Sequence, residues 1–471
     1  MIVAVIDKII LTLLILAIAG TTLAHGAVEP WSIALFGLIV IALMLLAGAK
    51  FFIERKIELR VPAAALPLSA LVAFGVVQSI AFSASDGRVL SLSLDVEATR
   101  QTVAVIFFVT IVFLFAADRF SSRESLQRLA SLMVVYGLAL AVFALIQHFT
   151  WDGKFYWMRA NTLSTSPFGP FVNHNHFAGY MEMLIPIPLA LAITKSARAE
   201  TRMFNLFAAS IMCVALLASL SRGGMISVIV GVTAVVLLGR GRKSSRTSRI
   251  RRNSSTLPGL ARKAVIIAVV FAASGMGLLW VGPERLADRI SQSGIASEEA
   301  KAEPFYESRG WIWEDTLRMI GANPVFGVGL GAYETAYSIY RREDRELQVS
   351  HAHNDYLQIV ANCGIVGGLI ALWFIASVFR AVWRGLSSRD SFTHALAVGS
   401  GSGILAMMVH SLVDFNLQLL SNALMFLLLV ATASNAATLA NAEQSLGQPQ
   451  RKRVGSEESA RESVMPVATV H

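Results

Sequence analysis

Four clusters of polar residues interrupt an otherwise apolar chain, and their types suit phosphate binding and proton transfer. Polar groups in or beside apolar helices are expensive to keep and are candidates for function. Ser221, Arg222, Gly223 and Gly224 break one long apolar run. Paired glycines permit a tight turn between antiparallel helices, leaving the Arg222 guanidinium as a planar fork that fits a phosphate. The competing reading is an arginine reaching the interface from a helix end. Arg309 opens an amphipathic segment near Glu307, Glu314 and Asp315. A guanidinium in a first helical turn is opposed by the helix dipole, which favours a functional or ion-paired role over an idle one. Ser350, His351, His353, Asn354, Asp355, Tyr356 and Gln358 form the third cluster. Histidine is the natural general base near neutral pH, and Asn354 or Asp355 is placed to orient it.

The fourth cluster is Asn173, His174, Asn175 and His176. With His351 and His353 it supplies four histidines, which raises a metal site. Their spacing matches no ligand signature and no carboxylate joins them, so no metal is expected and Asn175 and His176 are read as lining a substrate. Glu182 is an acid inside an apolar run, with an arginine such as Arg222 as its candidate partner. His410, Asp414, Asn416 and Gln418 lie between the last two runs, and the sequence assigns them no role. Gly327, Gly329 and Gly331 imitate a phosphate loop but follow no strand of a βαβ unit, so a turn between two helices is expected.

The elements that must carry these residues are transmembrane helices. Of the 471 residues, 55% are hydrophobic and 15% charged, against roughly 25% charged in a soluble domain, which excludes a purely soluble enzyme. Twelve runs have the length needed to cross a bilayer: 8–24, 31–49, 61–83, 102–117, 128–149, 176–194, 203–221, 223–239, 264–282, 356–379, 394–412 and 420–440. The fold class is all-α and polytopic. Five helices occupy 1–149, and a short loop at 150–175 follows. Four helices occupy 176–282 with a basic loop at 240–263, a long loop spans 283–355, three helices fill 356–440, and a polar tail expected to be disordered covers 441–471. Lys8 before an apolar run resembles a signal peptide, but Asp7 and the further spans favour an uncleaved first helix.

Charge sets the expected orientation. With a cytoplasmic N-terminus, 27 of the 40 Lys and Arg fall on the inner side, as the positive-inside rule requires. The formal charge of +9 then divides into +16 inside and −7 elsewhere, so it records topology and gives no reason to expect a nucleic-acid partner. The Arg240 to Lys263 run reads as a cytoplasmic anchor beside membrane lipids. Both termini are expected in the cytoplasm and the polar clusters at the outer face. The long loop is read as a small cap on the membrane. In it, Ile312, Trp313, Leu317 and Ile320 share one helix face, Trp311 and Trp313 suit the interface, Asn323 and Pro324 end the helix, and Tyr333, Tyr337 and Tyr340 recur on another. Cys213 and Cys363 are too few for a disulfide framework or a cysteine zinc site.

Three motifs in this order resemble the O-antigen ligase and polymerase superfamily of bacterial polytopic glycosyltransferases. They are Ser221-Arg222-Gly223; Arg309-x-x-x-Trp313 followed by Asn323-Pro324-x-x-Gly327-x-Gly329; and His353-Asn354-x-Tyr356-Leu357-Gln358 followed by Gly364-x-x-Gly367. The resemblance implies transfer of a glycan from an undecaprenyl-diphosphate-linked donor to an acceptor hydroxyl, at the outer face of the bacterial inner membrane, in surface polysaccharide assembly. It implies Arg222, Arg309 and His353 as the functional positions, with His351 secondary. Asn354, Tyr356, Asn175, His176 and His351 are the candidate substrate contacts. No cofactor is expected: two arginines can hold the leaving diphosphate without a metal, and direct displacement predicts inversion at the anomeric carbon. A ligase, a repeat-unit polymerase and a protein O-oligosaccharyltransferase would share this donor and differ in a lipid or glycan acceptor, or a protein one. A flippase or transporter for lipid-linked sugars is the non-enzyme alternative. It predicts internal repeats and midplane charges, whereas the polar residues here crowd towards one face.

Overall fold

The computed structural model describes residues 2–56, 59–83, 89–161, 166–194, 198–239, 305–342 and 349–446. The helices in chain order are α1 Ile2–Leu23, α2 Pro30–Glu54, α3 Ala65–Gln78, α4 Val96–Arg119, α5 Arg123–Phe149, α6 His174–Leu184, α7 Pro186–Ile193, α8 Ala199–Ala218, α9 Arg222–Leu238, α10 Phe305–Ala322, α11 Tyr333–Tyr340, α12 Asp355–Gly385, α13 Ser391–His410 and α14 Leu420–Leu446. Two small antiparallel hairpins join them, β1 Ala81–Ser83 with β2 Val89–Ser91, and β3 Lys154–Phe155 with β4 Arg159–Ala160. Among the described residues nine spans are long and apolar enough to cross a membrane, counting α6 and α7 as one, and α3 and α9 are shorter apolar helices. The expected span 264–282, the basic loop 240–263, residues 283–304 of the cap and the tail from 447 lie outside the described residues. α14 continues past the expected end of the last span to Leu446.

Polar residues at the span edges start these helices. The Asp95 carboxylate accepts from Ala98 N–H at 2.9 Å to cap α4. Ser122 and Ser125 form a capping box on α5, and Asp390 caps α13 through Thr393 N–H at 3.1 Å. The Arg123–Asp390 ion pair at 3.0 Å ties those last two starts together.

The centre of the bundle is the α6–α7 span, which is wholly buried. α13 packs on it through small residues. A methyl at Gly403 would meet the Met183 carbonyl oxygen at 2.4 Å, and one at Gly399 would meet Ile187 Cα at 3.0 Å. Such close backbone approach is how helices gain dispersion contact inside a membrane, where burial of apolar area gives no drive.

The buried face of the cap helix α10 keeps Ile312 and Ile320 of the expected apolar face, packed against the buried residues of the cap, and is turned away from Leu317. Asp315, Thr316 and Met319 are inside, while Leu317 is 56% exposed. Two tyrosines of α11 account for the turn: Tyr333 Oη and Thr316 Oγ1 share a hydrogen bond of 2.6 Å, and Tyr337 Oη donates to Asp315 at 3.2 Å. α10 stops at Ala322, as expected before Asn323 and Pro324.

Between α10 and α11 the glycine-containing segment is a turn, bonded into a break in α12. Gly364 leaves helical geometry at φ 59°. There Val328 N–H reaches the Ala361 carbonyl, Gly329 N–H the Asn362 carbonyl and Ile365 N–H the Pro324 carbonyl, each at 2.9 Å. Gln78 of α3 closes the junction, donating to the Phe326 and Asn362 carbonyls and accepting from Leu330 N–H. Gly327 (φ 71°) and Gly364 have no room for a side chain, since a methyl on either would lie within 2.4 Å of the other segment's backbone.

Candidate active site

The histidine loop is held by two fixed points on one alanine. Ala352 is fully buried; its N–H donates to Gln358 Oε1 at 2.7 Å and its carbonyl accepts from Trp313 Nε1 at 3.0 Å. Trp313 stands one turn beyond Arg309 on α10, so both side chains share a face. Next to this doubly held alanine, His353 has φ 47°, a left-handed conformation that non-glycine residues rarely take.

Asp414 answers that loop from the segment between α13 and α14. Its Oδ1 lies 3.6 Å from His353 Nδ1 and its Oδ2 lies 4.0 Å from Arg309 Nη2. Arg309 Nη1 also donates to the Val413 carbonyl. The carboxylate is 3% exposed and the His353 side chain 33%. His353 Nδ1 itself is buried, so the exposure of this side chain lies on its other atoms. Burial alone would raise the Asp414 pKa, but His353, His176 and His410 around it outweigh that and hold it well below the usual carboxylate range.

Phe415 is the floor of the site. The rings of His351, His353 and His176 surround it at 4.4, 4.8 and 5.0 Å. Burial, with help from the neighbouring His353 and His176, lowers the His351 pKa to about 4. His176 is buried, with Nδ1 3.1 Å from Asn416 Oδ1. Asn422 donates to that same oxygen and to the His176 carbonyl, both at 3.1 Å.

Several residues singled out for chemistry are found working as helix starts. Asn354 Oδ1 accepts from the N–H groups of Tyr356 and Leu357, and its Nδ2 donates to the Leu412 carbonyl. Asn173 accepts from Asn175 N–H, and Ser221 from Gly224 N–H. Neither the Asn354 nor the Asp355 side chain is hydrogen-bonded to His353. Asp355 instead accepts from Ser411 Oγ at 2.7 Å, Leu417 N–H at 3.2 Å and Gln418 Nε2 at 3.2 Å. It therefore fixes both ends of the 411–418 segment that presents Asp414. Tyr356 Oη donates to the Met408 carbonyl at 2.8 Å.

Arg222 begins α9 and is exposed, with no ion pair to any described residue. Its neighbour Gly223 sets its position: a methyl there would lie 2.6 Å from His410 Nε2 and 3.3 Å from Val413 Cγ2. Glu182 does not pair with Arg222. It is fully buried and its Oε2 lies 2.9 Å from His410 Nδ1, because α6 meets the C-terminus of α13 there while Arg222 is exposed at the start of α9. Among the described residues no three His, Cys, Asp or Glu side chains converge in a way that could hold a metal ion.

The structure thus brings Arg309, His351, His353 and His176 together around residues 410–416, with the Arg222 turn against the same segment. That hub was the part the sequence left without a role. The signal for it was five polar residues, His410, Ser411, Asp414, Asn416 and Gln418, crowded between two apolar runs. Beside the hub runs an apolar cleft of about 330 Å3 between α3, α4, α12, α13 and α14. Leu71, Ile106, Ile359, Phe374 and Phe426 are among its walls, and Asp355, Tyr356, Gln358 and Gln418 form its polar end.

Residues 207–372 match the family model described as O-antigen ligase. The matched stretch is just over a third of the chain and takes in Arg222, Arg309 and His353. No curated protein matches the chain. Over that stretch the chain is similar to the O-antigen ligases, and with its membrane-spanning helices this supports a place in the broader ligase and polymerase superfamily and a glycan-handling function of that type.

Proposed function

We propose that the protein transfers a glycan from undecaprenyl diphosphate to an acceptor hydroxyl at the outer face of the inner membrane. The observation that carries this reading is the arrangement of His353, with Asp414 behind its buried Nδ1 and Arg309 on the other carboxylate oxygen. His353 Nε2 takes the proton of the acceptor hydroxyl as that oxygen bonds to the anomeric carbon. The bond from that carbon to the diphosphate oxygen breaks, its electron pair leaves with the diphosphate, and configuration inverts. Asp414 stabilises the imidazolium that forms. General-base assistance of this kind contributes about 10²–10⁴-fold.

The leaving diphosphate needs positive charge more than an acid. Arg222, exposed and without a carboxylate partner among the described residues, is the primary clamp. Arg309 is largely buried and tied to Val413 and Asp414, so it lends charge while holding the loop. The apolar cleft takes the polyprenyl chain laterally from the bilayer, with its polar end towards the reacting groups. His176 and His351 act by fixing Phe415, on which a sugar ring stacks, and Asn175, Asn354 and Tyr356 shape the rim. The outer-face orientation, with both termini in the cytoplasm, rests on the distribution of Lys and Arg along the sequence.

The decisive experiment replaces His353 by Ala, verifies membrane levels, and measures transfer from lipid-diphosphate glycan to acceptors of the ligase, polymerase and protein types in turn. Undiminished transfer overturns the general-base assignment. Loss of transfer with lipid-linked glycan accumulating on the inner leaflet favours a flippase; accumulation on the outer leaflet favours the transferase.

A further inference from the structure

At the opposite end of the bundle lies a second and larger cavity. α4 starts at Asp95, whose Oδ2 accepts from Thr335 of the cap at 2.8 Å, and ends at Arg119, about 36 Å away for its 24 residues. There the N-terminal part of α1, the C-termini of α2 and α4 and the start of α5 enclose about 1210 Å3.

Its walls divide by chemistry. One side is apolar, formed by Ile10, Leu11, Ile15, Phe115, Leu129 and Leu132. The other is charged, and most of those charges cancel. Lys50 pairs with Asp7 at 2.7 Å and Glu54 at 3.9 Å, and Arg128 with Glu124 at 3.8 Å. Asp118 accepts the Arg60 backbone N–H at 3.2 Å. Lys56, Arg60 and Arg119 are exposed and line the cavity with no side-chain ion pair to any described residue.

The apolar side does not end at the mouth. Ile15, Phe120, Leu129 and Leu132 also border a wholly apolar slot of about 50 Å3 that continues between α1, α5 and α14 to Ala19, Tyr136 and Leu428. From Leu129 to Tyr136 it runs about 10 Å along α5. A charged mouth continuous with an apolar slot along the membrane-crossing direction matches an amphiphile held parallel to the helices. The cavity is lined by five basic and four acidic side chains, and Lys56, Arg60 and Arg119, with no ion pair to a described residue, favour an anionic head, which a zwitterionic lipid does not offer.

We infer that this crevice binds an anionic phospholipid, its phosphate against Lys56, Arg60 and Arg119 and a few methylenes of an acyl chain in the slot beside Ile15 and Leu132. The site lies at the end of α4 away from the cap and takes no part in the chemistry proposed at His353, so it stands or falls separately.

Native mass spectrometry of the full-length protein in detergent tests it, with phosphatidylglycerol and phosphatidylethanolamine offered in equal amounts. Wild type is expected to retain phosphatidylglycerol preferentially. The triple variant Lys56→Ala, Arg60→Ala, Arg119→Ala should lose that retention roughly tenfold or more, since each basic group near an anionic headgroup layer contributes on the order of a factor of five. Leu132→Trp, which fills the slot and keeps every charge, should reduce phosphatidylglycerol retention and leave competition by inorganic phosphate unchanged. Equal retention of the two lipids by wild type overturns the proposal. So does unchanged retention in Leu132→Trp, which remains informative if the triple variant does not fold. Displacement of bound phosphatidylglycerol by inorganic phosphate as readily as by a second phospholipid would assign the mouth to a free anion and also overturn it.

Discussion

The Nδ1 atom of His353 faces Oδ1 of Asp414 at 3.6 Å. That separation is longer than a hydrogen bond and short enough for a strong ion pair once the ring is protonated inside a buried site. The carboxylate therefore acts most on the state in which His353 carries a proton. Asp414→Asn, which keeps the shape, should lower the glycan-transfer rate about 10²–10⁴-fold, by analogy with other buried carboxylates behind a histidine base. Adding His353→Ala should cost little more, because the two act as a unit. Fully additive losses in the steady-state rates would separate their roles.

Trp313→Phe preserves the ring and removes the N–H that holds the Ala352 carbonyl. We expect a stability loss of about 1 kcal/mol with a disproportionate loss of turnover, because His353 sits in a strained conformation that needs both anchors. Gln358→Ala, which releases the Ala352 N–H, should behave the same way. Thermal unfolding and transfer rate measured on one preparation distinguish this from simple destabilisation, in which the two would fall together.

Four glycines divide into two classes. Gly364→Ala and Gly327→Ala should abolish folding in detergent, since the added methyl would lie within 2.4 Å of backbone at a positive φ. Gly310→Ala and Gly321→Ala in α10 meet nothing within 4 Å, and should be neutral or stabilising by up to about 1 kcal/mol. Fluorescence-detected size exclusion and melting temperature read both outcomes, and a well-folded Gly364→Ala would contradict the junction described.

The Glu182–His410 pair is fully buried, and breaking it leaves an uncompensated group in the bundle. Glu182→Ala should cost about 3–5 kcal/mol, whereas Glu182→Met with His410→Leu should recover most of it. Expression yield and melting temperature of the single and double variants are the comparison, and a harmless Glu182→Ala would remove the structural role.

Acid should loosen the site in a defined window. His351 is held neutral by burial, with its pKa lowered to about 4, against about 6.5 in the unfolded chain. Its contribution is complete above pH 6.5 and is lost as pH falls towards 4, on the order of 3 kcal/mol at most. Below that, protonation of Asp414, whose pKa is depressed, removes stability in the same direction. His351→Phe should flatten the melting temperature between pH 6.5 and 4, and an unchanged slope would reassign the effect.

How much of this was legible in the sequence follows the physics of each signal. Long apolar runs announce spans because a bilayer leaves few alternatives, and Asn323-Pro324 announces the end of α10. The expected face of α10 holds for Ile312 and Ile320 and fails for Leu317, because Thr316 and Asp315 are buried through hydroxyls that approach from another helix, a pairing no local period encodes. Asp414 was visible as a polar residue and invisible as a partner of His353, since 61 positions separate them and only the fold closes that gap. The sequence offers Asn354 or Asp355 to orient the histidine, and neither bonds to it; Asp355 acts on it indirectly, by fixing the segment that carries Asp414.

The main-chain bonds that join the 324–330 turn to the break in α12 make the described part of the cap and a membrane helix a single mechanical piece. Raising it like a hinged lid would rupture those bonds together and expose their amides in a setting with little water to receive them. Under the proposed transfer, the 324–330 turn is therefore expected to stay with α12, and long substrates to exchange by sliding past it.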